Sequence, residues 1–193
     1  MFNFLAESGN ARAMYFMGIF YRNGYGNVVE IDTEKGNMWT KKGMEEGDPL
    51  CVRSAVDMFP MAENEKKQML HTIWDELVRL AESGNPFAQF ELACAIENDE
   101  ENAQWMEKSA VQGYRVAQCN LGEAYEYGVG VTKDYEMAVN WYRKSAEQGY
   151  ARAQGYVGYM YHRGMGVNQD YEEAVKWYRK AAEQGYGWSQ CQL

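Results

Sequence analysis

Histidine and proline are nearly missing from this chain: 193 residues carry two histidines and three prolines. His71 and His162 stand far apart, without a carboxylate or cysteine at ligand spacing, so the pattern offers neither a zinc centre nor a histidine base. Cysteine is sparse as well. Cys51, Cys94, Cys119 and Cys191 are scattered singly with no C-x-x-C pair, which argues against a dithiol or zinc ribbon and reads as buried or idle thiols. H-E-x-x-H, P-loop and G-x-S-x-G strings do not occur. No apolar run approaches the roughly 20 residues of a membrane span. The opening MFNFLAESGNARAM has neither the basic n-region nor the apolar core of a secretory signal. No membrane insertion and a cytoplasmic location are therefore expected. Positive charge is also short, with 19 Lys and Arg against 28 Asp and Glu and a net charge of −9. Such a balance disfavours nucleic acid and suits another protein, of basic character, as partner. The expectation is no enzyme, no cofactor and no metal.

What the chain does have is repetition. Residues 113–148 read GYRVAQCNLGEAYEYGVGVTKDYEMAVNWYRKSAEQ, and 149–184 read GYARAQGYVGYMYHRGMGVNQDYEEAVKWYRKAAEQ. About 21 of the 36 positions are identical without a gap, a period that marks a solenoid whose units bury their apolar faces on neighbours. Ala117, Leu121 and Tyr125, like Ala153, Val157 and Tyr161, sit four apart and form the inner stripe of a first helix. Gly122 and Gly158 interrupt that helix at a cost of about 1 kcal/mol each, which suggests a close approach of two helices there. Gly128 and Gly164 suit the left-handed residue that ends it. Asp134 and Asp170 are candidate N-caps for a second helix, with Glu173 placed for a capping box. That helix carries Ala138, Trp141, Tyr142 and Ala146 inward, then Ala174, Trp177, Tyr178 and Ala182. The G-x-G-V strings lack the strand and lysine of a phosphate loop and read as helix-terminating turns.

The string A-E-Q-G, A-Q, L-G, Y, G-x-G-V, D-Y, A, W-Y-R-K-A resembles the SEL-one-like repeat, a relative of the tetratricopeptide repeat. The resemblance implies an all-α fold, a right-handed α-solenoid of stacked antiparallel helix pairs used mainly as a protein–protein adaptor. It implies no catalysis by itself.

Read in order, the chain gives one repeat domain of about five units: 6–47, a degenerate 48–84, 84–112, 113–148, 149–184 and a partial 185–193. Met1 to Leu5 look like the end of a preceding second helix. In the first unit Ala13, Met17, Gly18 and Tyr21 occupy the stripe, Gly24 and Gly26 make the turn, and Asn27 to Ile31 lengthen it. From Asp48 the signature fades; Pro49 suits a helix start and Pro60 a helix end. One long helix is expected over 64–81, with Met69, Leu70, Ile73, Leu77 and Leu80 inward, and Trp74 stands two residues out of register. The third unit loses the glycine turn, so its helices are expected to join through Asn98-Asp99-Glu100-Glu101, read as a solvated acidic turn. The final half-helix either caps the array or is where a further unit is cut short.

The resemblance places the first helices on the concave side. Positions three, seven, ten and fourteen after each glycine face away from the stripe and form the candidate protein-binding face. They are Arg12, Phe16 and Ile19; then Glu91; then Asn120, Glu123 and Tyr127; then Arg152, Tyr156, Tyr159 and Arg163, with Trp188 continuing the row. Tyr, Trp and Arg dominate interface hot spots, which singles out the fifth unit. The alternative is that Tyr156 and Tyr159 pack on the neighbouring unit. Trp39, Trp105, Trp141 and Trp177 are assigned to the core by their periodicity. Three functions compete: an adaptor gripping a protein, an immunity protein neutralising a basic bacterial toxin, and a hydrolase of the type linked to β-lactams in cysteine-rich relatives. The last lacks both their paired cysteines and a serine–lysine motif here.

Overall fold

The computed structural model describes residues 2–23 and 31–192. Helices joined by short turns make up these residues, with no strand among them, and the chain divides into two compact units, Met1–Ala95 and Ile96–Leu193. The turn expected at Gly24 and Gly26, with the lengthened stretch from Asn27 to Glu30, lies outside the described residues.

The first unit holds α1 (Phe2–Glu7), α2 (Ala11–Asn23), α3 (Thr33–Glu45), α4 (Pro49–Met58), α5 (Glu63–Glu82) and α6 (Pro86–Ala95). Each helix packs on the next, and α4 also packs on both α2 and α6. Pro49 sits in the first turn of α4, where a missing N–H costs nothing, and α4 ends just before Pro60. The long helix appears as expected, with Ile73 and Leu77 buried; Met69, Leu70 and Leu80 are half-buried, and Ala81 is buried as well. Trp74 is 37% exposed and does not take the place of the core tryptophans.

The second unit holds α7 (Asp99–Val111), α8 (Arg115–Tyr127), α9 (Tyr135–Glu147), α10 (Ala151–Arg163), α11 (Tyr171–Glu183) and α12 (Gly187–Gln190), again packed in chain order. Gly128 and Gly164 adopt the left-handed conformation at φ 75° and 66°, as expected for helix ends. A Cβ on Gly122 would lie 2.6 Å from the Tyr142 ring, and one on Gly158 2.7 Å from the Tyr178 ring. The close approach inferred at these glycines is therefore a tyrosine of the second helix lying flat on the first.

Trp39, Trp141 and Trp177 are buried as expected, whereas Trp105 is half-buried. Each is covered by the lysine one turn on, with Lys42, Lys108, Lys144 and Lys180 at 4.9, 3.5, 4.0 and 4.1 Å from the ring centroids. A glutamine near the start of a helix also ties it to the helix before. Gln89, Gln118, Gln154 and Gln190 donate from Nε2 to the carbonyls of Ala81, Ala110, Ala146 and Ala182, at 3.0–3.3 Å. Each bond adds a second donor to a last-turn carbonyl that already accepts the N–H of the glycine three residues on.

Two local expectations need correcting. Asn98 is the N-cap of α7, accepting from the Glu101 N–H at 2.9 Å, and Asp99, Glu100 and Glu101 form the first helical turn rather than a link between helices. Negative charge there complements the helix dipole. Asp170 does cap α11, but the capping box does not close: its own N–H donates to the Tyr161 carbonyl at 3.0 Å, and Glu173 pairs with Lys176 instead.

Candidate protein-binding face

In the first unit the expected face is used up by internal packing. Arg12 pairs with Asp48 at 2.6 Å. Phe16 packs edge-on against Phe87 at 4.8 Å. Ile19 and Glu91, expected to face outward, are buried. The carboxylate of Glu91 accepts hydrogen bonds from the Tyr15 and Ser54 hydroxyls, both at 2.9 Å. The physical reason is α4, which lies against α2 and α6 and turns what would be a face into an interior. Burial pushes the Glu91 carboxyl above its ordinary range, against the pull of Arg53 and the two hydroxyls.

In the second unit α8, α10 and α12 bring the remaining candidates together. Glu123 accepts from both the Arg152 guanidinium and the Tyr156 hydroxyl. Burial disfavours the Arg152 charge, yet the Tyr156 and Glu123 contacts raise its pKa. Tyr156 lies over Tyr142, with ring centroids 4.8 Å apart, so this tyrosine serves packing more than display. Asn120 is half-buried, and its Oδ1 is buried without a hydrogen-bond partner.

Tyr159 meets Trp188 edge-on at 5.9 Å, and the Arg163 guanidinium sits 6.0 Å from the Tyr159 ring centroid. Trp188 in turn lies 5.7 Å from Tyr178. Tyr127 is 66% exposed, Trp188 39%, and Arg163 is exposed with no ion-pair partner among the described residues. The outer part of this face thus carries the packed group Tyr159, Trp188 and Arg163, the cation lying over an aromatic ring and without an ion pair among the described residues.

Sequence reasoning missed what lies beneath it. Buried Glu126 accepts from the Tyr142 hydroxyl at 2.6 Å. One repeat later, the buried Tyr178 hydroxyl has no hydrogen-bond partner among the described residues, and neither does Ser189 Oγ. The signal was available: a step of 36 residues takes Tyr142 to Tyr178 but takes Glu126 to His162. The His162 ring packs edge-on 6.4 Å from the Tyr178 ring.

Two other features, an acidic groove and the cysteines, hold residue types that can carry chemistry. Asp99, Glu100 and Glu107 line an open groove of about 600 Å³ with Gly128, Gly130, Val131 and Thr132. Among the described residues no group of three or more histidine, cysteine or acidic side chains could hold a metal ion. Cys51, Cys94 and Cys119 are free thiols whose pKa burial pushes up, Cys94 to about 12, which makes them poor nucleophiles. Cys191 is free and exposed. No helix of the described residues is long and apolar enough to cross a membrane.

Helix pairs of fixed period, locked by glycine, alanine and tryptophan, define a helical-repeat protein. The Sel1 repeat family model matches residues 11–48, 115–150 and 151–186, more than half of the chain, and the chain belongs to this family. Sel1 repeats serve as protein-interaction modules, mainly without catalysis. Chitin synthase regulatory factor 3 of Schizosaccharomyces pombe is 30% identical over 125 residues, 64% of this chain, and the match spans 10% of that protein. Among solved structures, a Sel1 repeat protein from Oxalobacter formigenes aligns with TM-score 0.60 and 26% identity over 98% of this chain and 56% of its own. An immunity protein from Pseudomonas aeruginosa aligns with TM-score 0.57 and 21% identity over 96% and 72%, a likeness of fold alone.

Proposed function

We propose that this chain is a non-enzymatic protein-interaction module that takes its partner on the face formed by α8, α10 and α12. The observation that carries the proposal is the exposure of Tyr127, Arg163 and Trp188, the last two packed against Tyr159, residue types that supply most interface hot spots. The net charge of −9 steers a basic partner toward the molecule. Affinity purification from the source cell, with Tyr127→Ala and Arg163→Ala as paired variants, tests the assignment. Loss of a partner that wild type recovers supports it, and equal recovery moves the interface elsewhere.

A narrower form is an immunity protein that neutralises a basic toxin. Its support is the acidic charge, together with a fold that a known immunity protein shares. Co-expression with a toxin encoded beside its gene tests this form; death of the co-expressing cells would refute it. Turnover of nitrocefin by the purified chain would overturn the non-enzymatic reading.

A further inference from the structure

The two complete repeats of the second unit solve the same packing problem differently. In the earlier one the Tyr142 ring lies on Gly122, and its hydroxyl donates to the buried Glu126 carboxylate. In the later one the Tyr178 ring lies on Gly158 in the same way, but His162 stands where the carboxylate was. The Tyr178 hydroxyl is left buried with no acceptor among the described residues, in a residue that is 1% exposed. A buried donor without an acceptor destabilises the fold.

A second substitution accompanies the first. Exposed Tyr127 of the earlier repeat becomes exposed Arg163 in the later one, a cation without an ion-pair partner among the described residues. The pair Glu123–Arg152 becomes the aromatic pair Tyr159–Trp188. At these positions the later repeat has therefore given up two carboxylates, and its guanidinium has moved from the ion-paired place of Arg152 to the exposed place of Arg163. The partly exposed Trp188 of the four-residue α12 packs edge-on against the Tyr178 ring, with centroids 5.7 Å apart.

We propose that Tyr178, Arg163 and Trp188 form a carboxylate-binding site, and that an aspartate or glutamate side chain of the partner protein occupies it. This rests on the proposed function, since it names what the partner inserts into the same face. The carboxylate accepts from the Tyr178 hydroxyl as Glu126 does from Tyr142, pairs with Arg163, and carries its aliphatic stem against Trp188. Charge-assisted bonds of both kinds are stronger than neutral ones. Arg163 and Tyr159 already act electrostatically on the Tyr178 hydroxyl. The site does not conflict with a basic partner. The overall field steers the approach, while one acidic side chain among basic ones makes the anchor.

The test uses the full chain and two small probes, N-acetylglutamate N-methylamide and its glutamine twin, followed by NMR of the Trp188 indole. The glutamate probe is expected to shift that signal, with the glutamine twin about tenfold weaker. Arg163→Gln should lose the preference for glutamate. His162→Glu returns the internal carboxylate, and should abolish probe binding while raising Tm by a few degrees. Tyr178→Phe, which removes the hydroxyl and keeps the ring, should weaken the glutamate probe without lowering Tm. Equal response to both probes, or unaltered glutamate binding by His162→Glu and Tyr178→Phe, would overturn the site. A protein partner lost on Tyr127→Ala but held by Arg163→Gln and His162→Glu would also overturn it, with the proposed interaction face intact.

Discussion

The same repeat is built with different materials in the two units. In the second unit a tyrosine ring, Tyr142 or Tyr178, lies flat on a glycine of the first helix. At the corresponding step of the first unit, Gly18 meets Thr40, and a Cβ on Gly36 would lie 2.9 Å from the Gly18 carbonyl. There the helices meet nearly backbone to backbone, and the bulk that tyrosine supplied is gone. The first unit recovers burial by folding α4 against α2 and α6, which draws Glu91, Ile19 and Phe16 inward. The second unit keeps its regular pairs and leaves side chains on α8, α10 and α12 at the surface. Exposed side chains thus survive on the proposed face where the packing inside each pair is self-sufficient.

The largest effect expected from this difference comes from truncating the packing residue in each unit. Tyr142→Ala should cost about 3–5 kcal/mol, and Thr40→Ala about 1–2 kcal/mol for one hydroxyl bond and a methyl group. Urea unfolding measures both; equal losses would erase the contrast. Gly122→Ala or Gly158→Ala should cost about 1–3 kcal/mol, because the added methyl meets a buried ring that has nowhere to go. An unchanged midpoint would mean that the ring moves freely.

A pH effect separates the units further. The folded-state pKa of Glu91 is raised above the ordinary 4.5, so its contribution to stability is complete below about 4.5 and is lost as pH rises through the raised value. Glu91→Gln should remove that loss, so the variant's Tm gains on wild type with rising pH. A difference that shrinks with rising pH would show that the Tyr15 and Ser54 bonds to the charged form dominate. The smallest effect is at a cap: Asp134→Ala should cost about 1 kcal/mol by freeing the Glu136 and Met137 N–H groups.

The period of 36 residues made the fold legible, because glycine, tryptophan and aspartate recur at steps that only stacked helix pairs explain. The glycine inference was legible for the same reason. The acidic run at 98–101 misled, since an N-cap asparagine followed by first-turn acids has the composition of a loop. The face was half legible. Counting helical positions chose Tyr159, Arg163 and Trp188, which the fold packs together, but it could not see that Tyr156 would be drawn onto Tyr142. It also placed Ile19 and Glu91 outward, because the second repeat has no consensus from which the packing of α4 could be read.

The degenerate stretch 48–104 should also exchange its amide hydrogens faster than 113–184, where consensus repeats add their interfaces. The most direct test of the whole account uses the same observable with a bound protein partner. Amide protection gained on binding should fall on α8, α10 and α12 of the second unit, with α9 and α11 little changed. Protection confined to α2–α6, or to the lysine-covered tryptophans of α9 and α11, would contradict it.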